Sequence, residues 1–268
     1  QLDDAGLGVW SLGSPYGKIG ICNDFAAHLD KFKRGLELAD VLGAKRIRMF
    51  SFYVPSEDAE RYRDEIMQEM PEVDAVLGVG SIHDIVDAVR SIERGERGYA
   101  SFKSADEVAL GGDRVLTTPD YAAYLKISEG CDNRCTYCAI PDIRGKFRSR
   151  PMEDVIKEAV GLEELGAKEI IVVAQDTTRY GLDLYGEYSL AKLLEELLKA
   201  TKTVRYRLLY CYPDKITDEL IEEFKTNPRL LKYIDLPLQH ISDRMLKAMN
   251  RHGNGQTIRE VLAKLRTV

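Results

Sequence analysis

Three of the five cysteines lie within eight residues, as Cys131, Cys135 and Cys138 in the stretch "EGCDNRCTYCAIP". Thiolates are soft ligands suited to iron–sulfur clusters or to zinc. A structural zinc normally takes four ligands, often as two separated pairs, and the C-x3-C-x2-C run offers three together. On a four-iron cluster, three thiolates leave one iron with open positions. That iron can chelate the amino and carboxylate groups of S-adenosyl-L-methionine, and an electron from the cluster then breaks the sulfonium C–S bond to give a 5′-deoxyadenosyl radical. Zinc and a metal-free group of buried thiols are the competing readings. An odd cysteine count, tight spacing and no secretory segment point to a reducing cytoplasm rather than to disulfides. Cys211 in "LYCYP" and Cys22 after an apolar run read as core thiols.

Other polar groups follow apolar, strand-like runs. "AQDTTRYG" carries Gln175, Asp176, Thr177 and Thr178, placed to bind the cofactor's amino group or, more simply, to make a turn. "PLQHIS" carries Gln239 and His240, either binding groups or satisfied structural residues. Arg144, Lys146, Arg148 and Arg150 form a local basic group that is either a solvated loop or an anion site. "GVGSIH" at 78–83 lacks the full glycine fingerprint of a phosphate loop.

Alternating strands and helices must position these groups. Tyr124–Ser128 reads as a strand entering the cysteine loop. Pro151 opens a helix with Val155, Ile156, Ala159 and Leu162 on one face, closed by Gly166. Glu169–Ala174, Val204–Tyr210 and Tyr233–Leu236 read as strands. Ser189, Thr217 and Ser242 mark helix starts, and Thr257 with Glu260 makes a capping box for the last helix. Short apolar strands separated by helices of about ten residues imply βα units and a parallel sheet, with functional residues at the C-terminal strand ends. Upstream, Phe25, Leu29, Phe32, Leu36 and Ala39 form a helix stripe before a strand in "RIRMFSF". Residues 61–90 read as helix, strand "DAVLGVG", then a helix from Ile82, and residues 91–120 as a linker with little core.

The chain has 268 residues, 44% hydrophobic and 31% charged, as in a globular protein. No apolar run reaches membrane-spanning length. A net charge of −6 argues against a general nucleic-acid binder. Both ends read as cut, Gln1 not being Met and Val268 ending a helical pattern without a cap.

The stretches "YLKISEGCDNRCTYCAIPDIRGKFRSR", "VAQDTTRYG", "LLYCYPDKITDELI" and "DLPLQHISDRMLKAMNR" strongly resemble the radical S-adenosylmethionine core of methylthiotransferases, and 61–90 resembles the end of that family's N-terminal domain. His240 favours the branch that modifies an aspartate of a small-subunit ribosomal protein over the tRNA-modifying branch. The resemblance implies an α/β fold, a partial (βα) radical SAM barrel over 121–268, truncated and preceded by α/β fragments, with 61–120 as domain end and linker. It implies a [4Fe-4S] cluster on Cys131, Cys135 and Cys138, and S-adenosyl-L-methionine held by Tyr137, Gln175, Asp176, Thr178 and Gln239. It also implies an electron donor such as a flavodoxin or ferredoxin. The family's second cluster takes three N-terminal cysteines, whereas Cys22 alone precedes residue 131 here. Residues 1–60 resemble instead a piece of a xylose-isomerase-like sugar-phosphate isomerase/epimerase barrel, which suggests a chimera joined near "ERYRDEI". A sugar-phosphate isomerase and a non-catalytic cluster-binding module are the alternative functions.

Overall fold

The computed structural model describes residues 73–268 except 109, 113, 115, 117 and 118, together with isolated positions between 12 and 48. The helix stripe from Phe25 to Ala39 and the start of the 61–90 segment fall largely outside the described residues. The chain divides into two compact units, Gln1–Lys103 and Ser104–Val268.

In the first unit, β1 (Leu12–Gly13) pairs in parallel with β2 (Ile47–Arg48). A βαβ unit follows: β3 (Ala75–Leu77), a 3-10 turn over Val79–Asp84, α1 (Ile85–Glu93) and β4 (Tyr99–Ser101), with β3 and β4 parallel. "GVGSIH" is therefore a tight turn. Its Ser81 hydroxyl accepts from the Lys103 backbone N–H, and Asp84 accepts from the Ser101 hydroxyl. The helix expected from Ile82 begins three residues later. Part of the expected 91–120 linker is the strand β4.

The second unit opens with a capping box. Ser104 accepts from Asp106 N–H, and Glu107 accepts from Ser104 N–H, closing a turn at Ala105–Glu107. The chain then runs through β5 (Ala122–Lys126), β6 (Ser128–Glu129), α2 (Ile140–Arg144), β7 (Arg148–Ser149), α3 (Met152–Glu164), β8 (Glu169–Val173), α4 (Leu182–Tyr185), α5 (Leu190–Ala200), β9 (Arg205–Leu208), α6 (Asp218–Thr226), β10 (Leu230–Ile234), α7 (Asp243–Ala248) and α8 (Gly255–Leu265). Strands β5, β8, β9 and β10 form one all-parallel sheet in the order β10-β9-β8-β5. Consecutive βα units thus lie side by side, and all four C-terminal strand ends reach the same edge.

Alternation along each strand builds the core. In β8, Ile170 and Val172 are buried while Glu169, Ile171 and Val173 are partly open. The buried face meets Val155, Ala159 and Leu162 of α3, Leu193, Leu194 and Leu197 of α5, and Leu220 and Phe224 of α6. Each buried leucine contributes roughly 1.5–3 kcal/mol, an upper estimate. Glu163, near the end of α3, accepts from the backbone N–H groups of Lys202 and Thr203 and so fixes the approach to β9.

Several expected boundaries shift. The fourth strand is Leu230–Ile234 rather than Tyr233–Leu236. Thr217 caps α6 through Leu220 N–H (3.2 Å), but Ser189 and Ser242 make no side-chain cap bond. The last helix is capped by Asn254, whose Oδ1 accepts from Thr257 N–H at 2.9 Å. The Thr257–Glu260 box is absent, because Glu260 pairs with Gln256 on the exposed face.

Candidate metal centre

The cysteine loop leaves the sheet at the end of β5. The short antiparallel pair β6–β7 clamps its base, with Ser128 opposite Ser149 and Glu129 opposite Arg148. Gly130 sits between that clamp and Cys131 at φ +76°, and a Cβ there would lie 2.0 Å from the Lys146 carbonyl oxygen. Only glycine fits so close a backbone approach at positive φ. Cys131 N–H then donates to the Gly145 carbonyl at 3.3 Å.

Cys131, Cys135, Cys138 and Cys211 are free thiols. Cys131 and Cys135 are buried and Cys138 is partly exposed. Burial pushes the Cys131 thiol up, and the Asp176 charge adds to this. Asn133 Nδ2 lies 3.4 Å from Cys131 Sγ. The Tyr212 hydroxyl is 2.9 Å from Cys135 Sγ, and Arg251 donates to the same sulfur at 3.8 Å. The Arg251 guanidinium stacks 3.8 Å from the Tyr212 ring centroid. Burial by itself lowers Arg251, but Tyr212 and Cys135 more than offset it and the net shift is upward. Among the described residues, no three His, Cys, Asp or Glu side chains form a single-ion site. Zinc ligands surround a single ion, whereas in a four-iron cube each thiolate takes its own iron.

The family model for the radical SAM superfamily matches residues 125–268, more than half of the chain. The chain belongs to the radical SAM superfamily. Its members use S-adenosyl-L-methionine with an iron–sulfur cluster, the pairing that the cysteine spacing predicts. The chain is 50% identical over 214 residues to "Ribosomal protein uS12 methylthiotransferase RimO" of Thermoanaerobacter sp. (strain X514), covering 78% of this chain and 48% of that protein. It is 53% identical over 210 residues to the protein of the same name from Clostridium tetani (strain Massachusetts / E88), covering 78% and 47%. The chain therefore spans about half the length of the curated relatives it matches. A solved radical S-adenosylmethionine methyltransferase, TsrM from Kitasatospora setae with cobalamin and [4Fe-4S] cluster bound, shares the fold at a TM-score of 0.55 and 13% identity, covering 98% of this chain and 57% of that one.

The residues present fit a radical SAM cluster: three free thiols on one glycine-hinged loop at the C-terminal sheet edge, with side-chain donors on two of the sulfurs. The other expected site residues are distributed unevenly around them. Tyr137 is 40% exposed and is pushed up to about 12, by burial first and then by the Cys135 thiol. Gln175 donates to Glu129 Oε1 at 2.8 Å, while its own buried Oε1 has no hydrogen-bond partner. Asp176 and Thr178 are fully buried and occupied. Asp176 Oδ2 accepts from Asn133 (2.8 Å) and Lys215 (2.6 Å), and its Oδ1 accepts from Thr178 (2.7 Å). Gln239 is exposed, at φ +67°. His240 accepts from Ser242 N–H through Nδ1, a local turn contact.

Cys211 is a core thiol, pushed up to about 12 by burial and within 3.2 Å of the Thr177 hydroxyl. Three of the four residues of the basic group are spent on structure. Arg144 faces Glu129, Arg148 holds the Ala105 and Val108 carbonyls, and Arg150 pairs with Glu158 at 2.6 Å. For Glu129, burial pulls upward, but Lys126, the Gly130 N–H and Arg144 make the net shift downward. Asn133, Tyr212, Lys215 and Arg251 were not read from the sequence as site residues. The one available signal was that Tyr212 and Lys215 follow a strand end.

Proposed function

We propose that this chain supplies the S-adenosylmethionine-cleaving portion of a radical methylthiotransferase whose target is an aspartate of a small-subunit ribosomal protein. The observation that carries this reading is the half-identity, over 78% of the chain, to enzymes named for that modification of uS12. When bound, the cluster and cofactor supply a carbon radical able to abstract a hydrogen atom from an unactivated carbon.

Cys131, Cys135 and Cys138 hold the cluster. The β6–β7 clamp and Gly130 fix the first ligand, while Tyr212 and Arg251 place donors on the second. Among the cofactor residues, Gln175 has the strongest support, because its unpartnered buried oxygen gains from an ammonium donor such as the amino group of S-adenosyl-L-methionine. Tyr137 and Gln239 present accessible polar groups at the same sheet edge. Asp176 and Thr178 act through their neighbours, since their oxygens already have protein partners. A flavodoxin- or ferredoxin-like protein is the electron donor. The free thiols fit a reducing cytoplasm, and no helix among the described residues is long and apolar enough to cross a membrane.

The sulfur-inserting step needs sulfur ligands that these 268 residues lack, Cys22 being the only cysteine before Cys131. Residues 1–60 are proposed as a separate ancestry, of sugar-isomerase type.

Anaerobic reconstitution with iron and sulfide tests the reading. The expected result is about four irons per chain, an electron paramagnetic resonance signal that shifts on adding S-adenosyl-L-methionine, and no methylthiolated uS12. A signal indifferent to the cofactor, or zinc in place of iron, overturns the assignment. Methylthiolated aspartate made by this chain alone overturns the claim that the sulfur donor is missing.

A further inference from the structure

Behind Cys131 lies a buried polar chain that ligand chemistry alone does not require. Lys215 arrives from the 3-10 turn Pro213–Lys215 after β9, and Asp176 from the end of β8. Lys215 Nζ donates to Asp176 Oδ2 at 2.6 Å and to Asn133 Oδ1 at 2.9 Å. Asn133 Nδ2 donates to Asp176 Oδ2 at 2.8 Å and stands 3.4 Å from Cys131 Sγ. The exposures are 7% for Lys215, 2% for Asn133 and 0% for Asp176. An ion pair this deep is a weak source of stability, because desolvation offsets most of the attraction and apolar residues of similar volume serve as well.

The pair does dictate which way the Asn133 amide faces. Its oxygen meets an ammonium and its nitrogen a carboxylate. A flip would set oxygen against carboxylate and NH2 against ammonium, so only one orientation survives. That orientation keeps an N–H beside the first cysteine.

We infer that Asp176 and Lys215 are positioning residues: they lock Asn133 so that its amide donates to the Cys131 thiolate and sets the reduction potential of the cluster held there. The inference rests on the cluster reading above. Hydrogen bonds to cluster sulfurs and nearby positive charge stabilise the reduced, more negative cluster, and nearby negative charge opposes it.

The two halves of the pair therefore carry opposite signs. Lys215→Met leaves a buried carboxylate and an unlocked amide, and lowers the midpoint potential. Asn133→Leu lowers it by removing the donor. Asp176→Asn leaves the ammonium and raises it. The double variant Asp176→Asn/Lys215→Met falls between the two singles, and Lys215→Arg keeps the original potential. Each single charge change is expected to move the one-electron equilibrium about tenfold, which is about 59 mV.

Potentials are measured by mediated dithionite titration of the reconstituted chain, with circular dichroism to confirm folding. In parallel, iodoacetamide labelling of the metal-free chain is followed at each cysteine by mass spectrometry. Lys215→Met and Asn133→Leu each remove a group that favours the Cys131 thiolate and should label Cys131 about tenfold more slowly, with Cys138 unchanged. An unchanged midpoint potential in Asn133→Leu, or equal Cys131 labelling in all variants, overturns the lock. A wild-type chain that takes up no iron defeats the cluster reading, while the labelling result still decides whether the lock exists.

Discussion

Gly130→Ala is the most direct test of how the fold holds the cysteine loop. At φ +76°, the new Cβ would stand 2.0 Å from the Lys146 oxygen, 2.6 Å from its carbonyl carbon and 2.7 Å from the Gly145 oxygen. These are backbone atoms of the segment that Cys131 N–H also bonds, so no side chain can swing aside. A non-glycine residue at positive φ costs about 1–3 kcal/mol, and overpacking with forced backbone movement costs about 1–3 kcal/mol more. Near the middle of that range, about 4 kcal/mol, Tm falls by roughly 8–16 °C for a unit of this size. The displaced segment bonds Cys131, the first proposed ligand, so iron content after reconstitution should fall as well. Two internal controls separate crowding from conformation. Gly166→Ala, at φ +106° with nothing within 4 Å, should cost only the conformational part. Gly161→Ala, inside α3 at ordinary φ with open space around it, should stabilise by about 0.5–1 kcal/mol. Thermal melts by circular dichroism and iron analysis of the three variants decide the matter. If Gly130→Ala melts like Gly166→Ala and loads full iron, the close-approach argument is wrong.

Single replacement of Cys131, Cys135 or Cys138 by Ser should abolish stable four-iron loading, whereas Cys211→Ser should leave iron stoichiometry unchanged; iron and sulfide analysis reads both. Asn254→Ala should cost about 1 kcal/mol through loss of the cap of α8, and Glu260→Gln almost nothing; chemical denaturation midpoints distinguish this from a Thr257–Glu260 box. The Cys211 thiol is raised from 9.0 to about 12 by burial, so the unfolded chain releases that proton first. Its contribution is fully present below pH 9 and is lost as pH rises toward 12. Denaturation curves between pH 8 and 11 should show this slope, and Cys211→Ala should flatten it.

Much of this was legible in the sequence because it is local. The three cysteines proposed as ligands lie within eight residues, and their spacing alone points to soft-metal chemistry. The apolar–polar alternation of Glu169–Val173 and the leucine stripe of α5 announce strand and helix through periods of 2 and 3.6. What stayed hidden is non-local. Tyr212 meets Cys135 across 77 positions, Lys215 meets Asn133 across 82, and Arg251 meets Cys135 across 116. No periodicity encodes such pairs. Capping failed where two candidate residues competed. Asn254 and Thr257 both suit a helix start, and only the extended backbone of Asn254 (φ −142°, ψ 175°) settles which one accepts the orphan N–H. Asp176 shows the same non-locality. A carboxylate at a strand end suggests ligand contact, but the lysine that neutralises it arrives from the next βα unit.

The same separation explains how a loop with so little regular structure can be held in one shape. Arg134 lies between Cys131 and Cys135 at φ +46°, and Asn250 sits just past α7 at φ +51°. Neither is glycine, so both conformations are unfavourable in isolation. They support each other: Asn250 Nδ2 donates to the Arg134 carbonyl at 2.9 Å, and Thr136 N–H donates to the Met249 carbonyl at 3.1 Å. Arg251, the next residue, turns inward to Cys135 and anchors itself on the Pro237 carbonyl at 2.6 Å. Cys135 is therefore positioned by a segment that follows four βα units along the chain. Cluster-ready geometry thus depends on contacts between residues more than 100 positions apart. Asn250→Ala removes one such contact without touching any ligand. It should leave most of the secondary structure intact and accelerate alkylation of Cys135 in the metal-free chain several-fold. Unchanged labelling would mean that the loop holds its shape from its own residues alone.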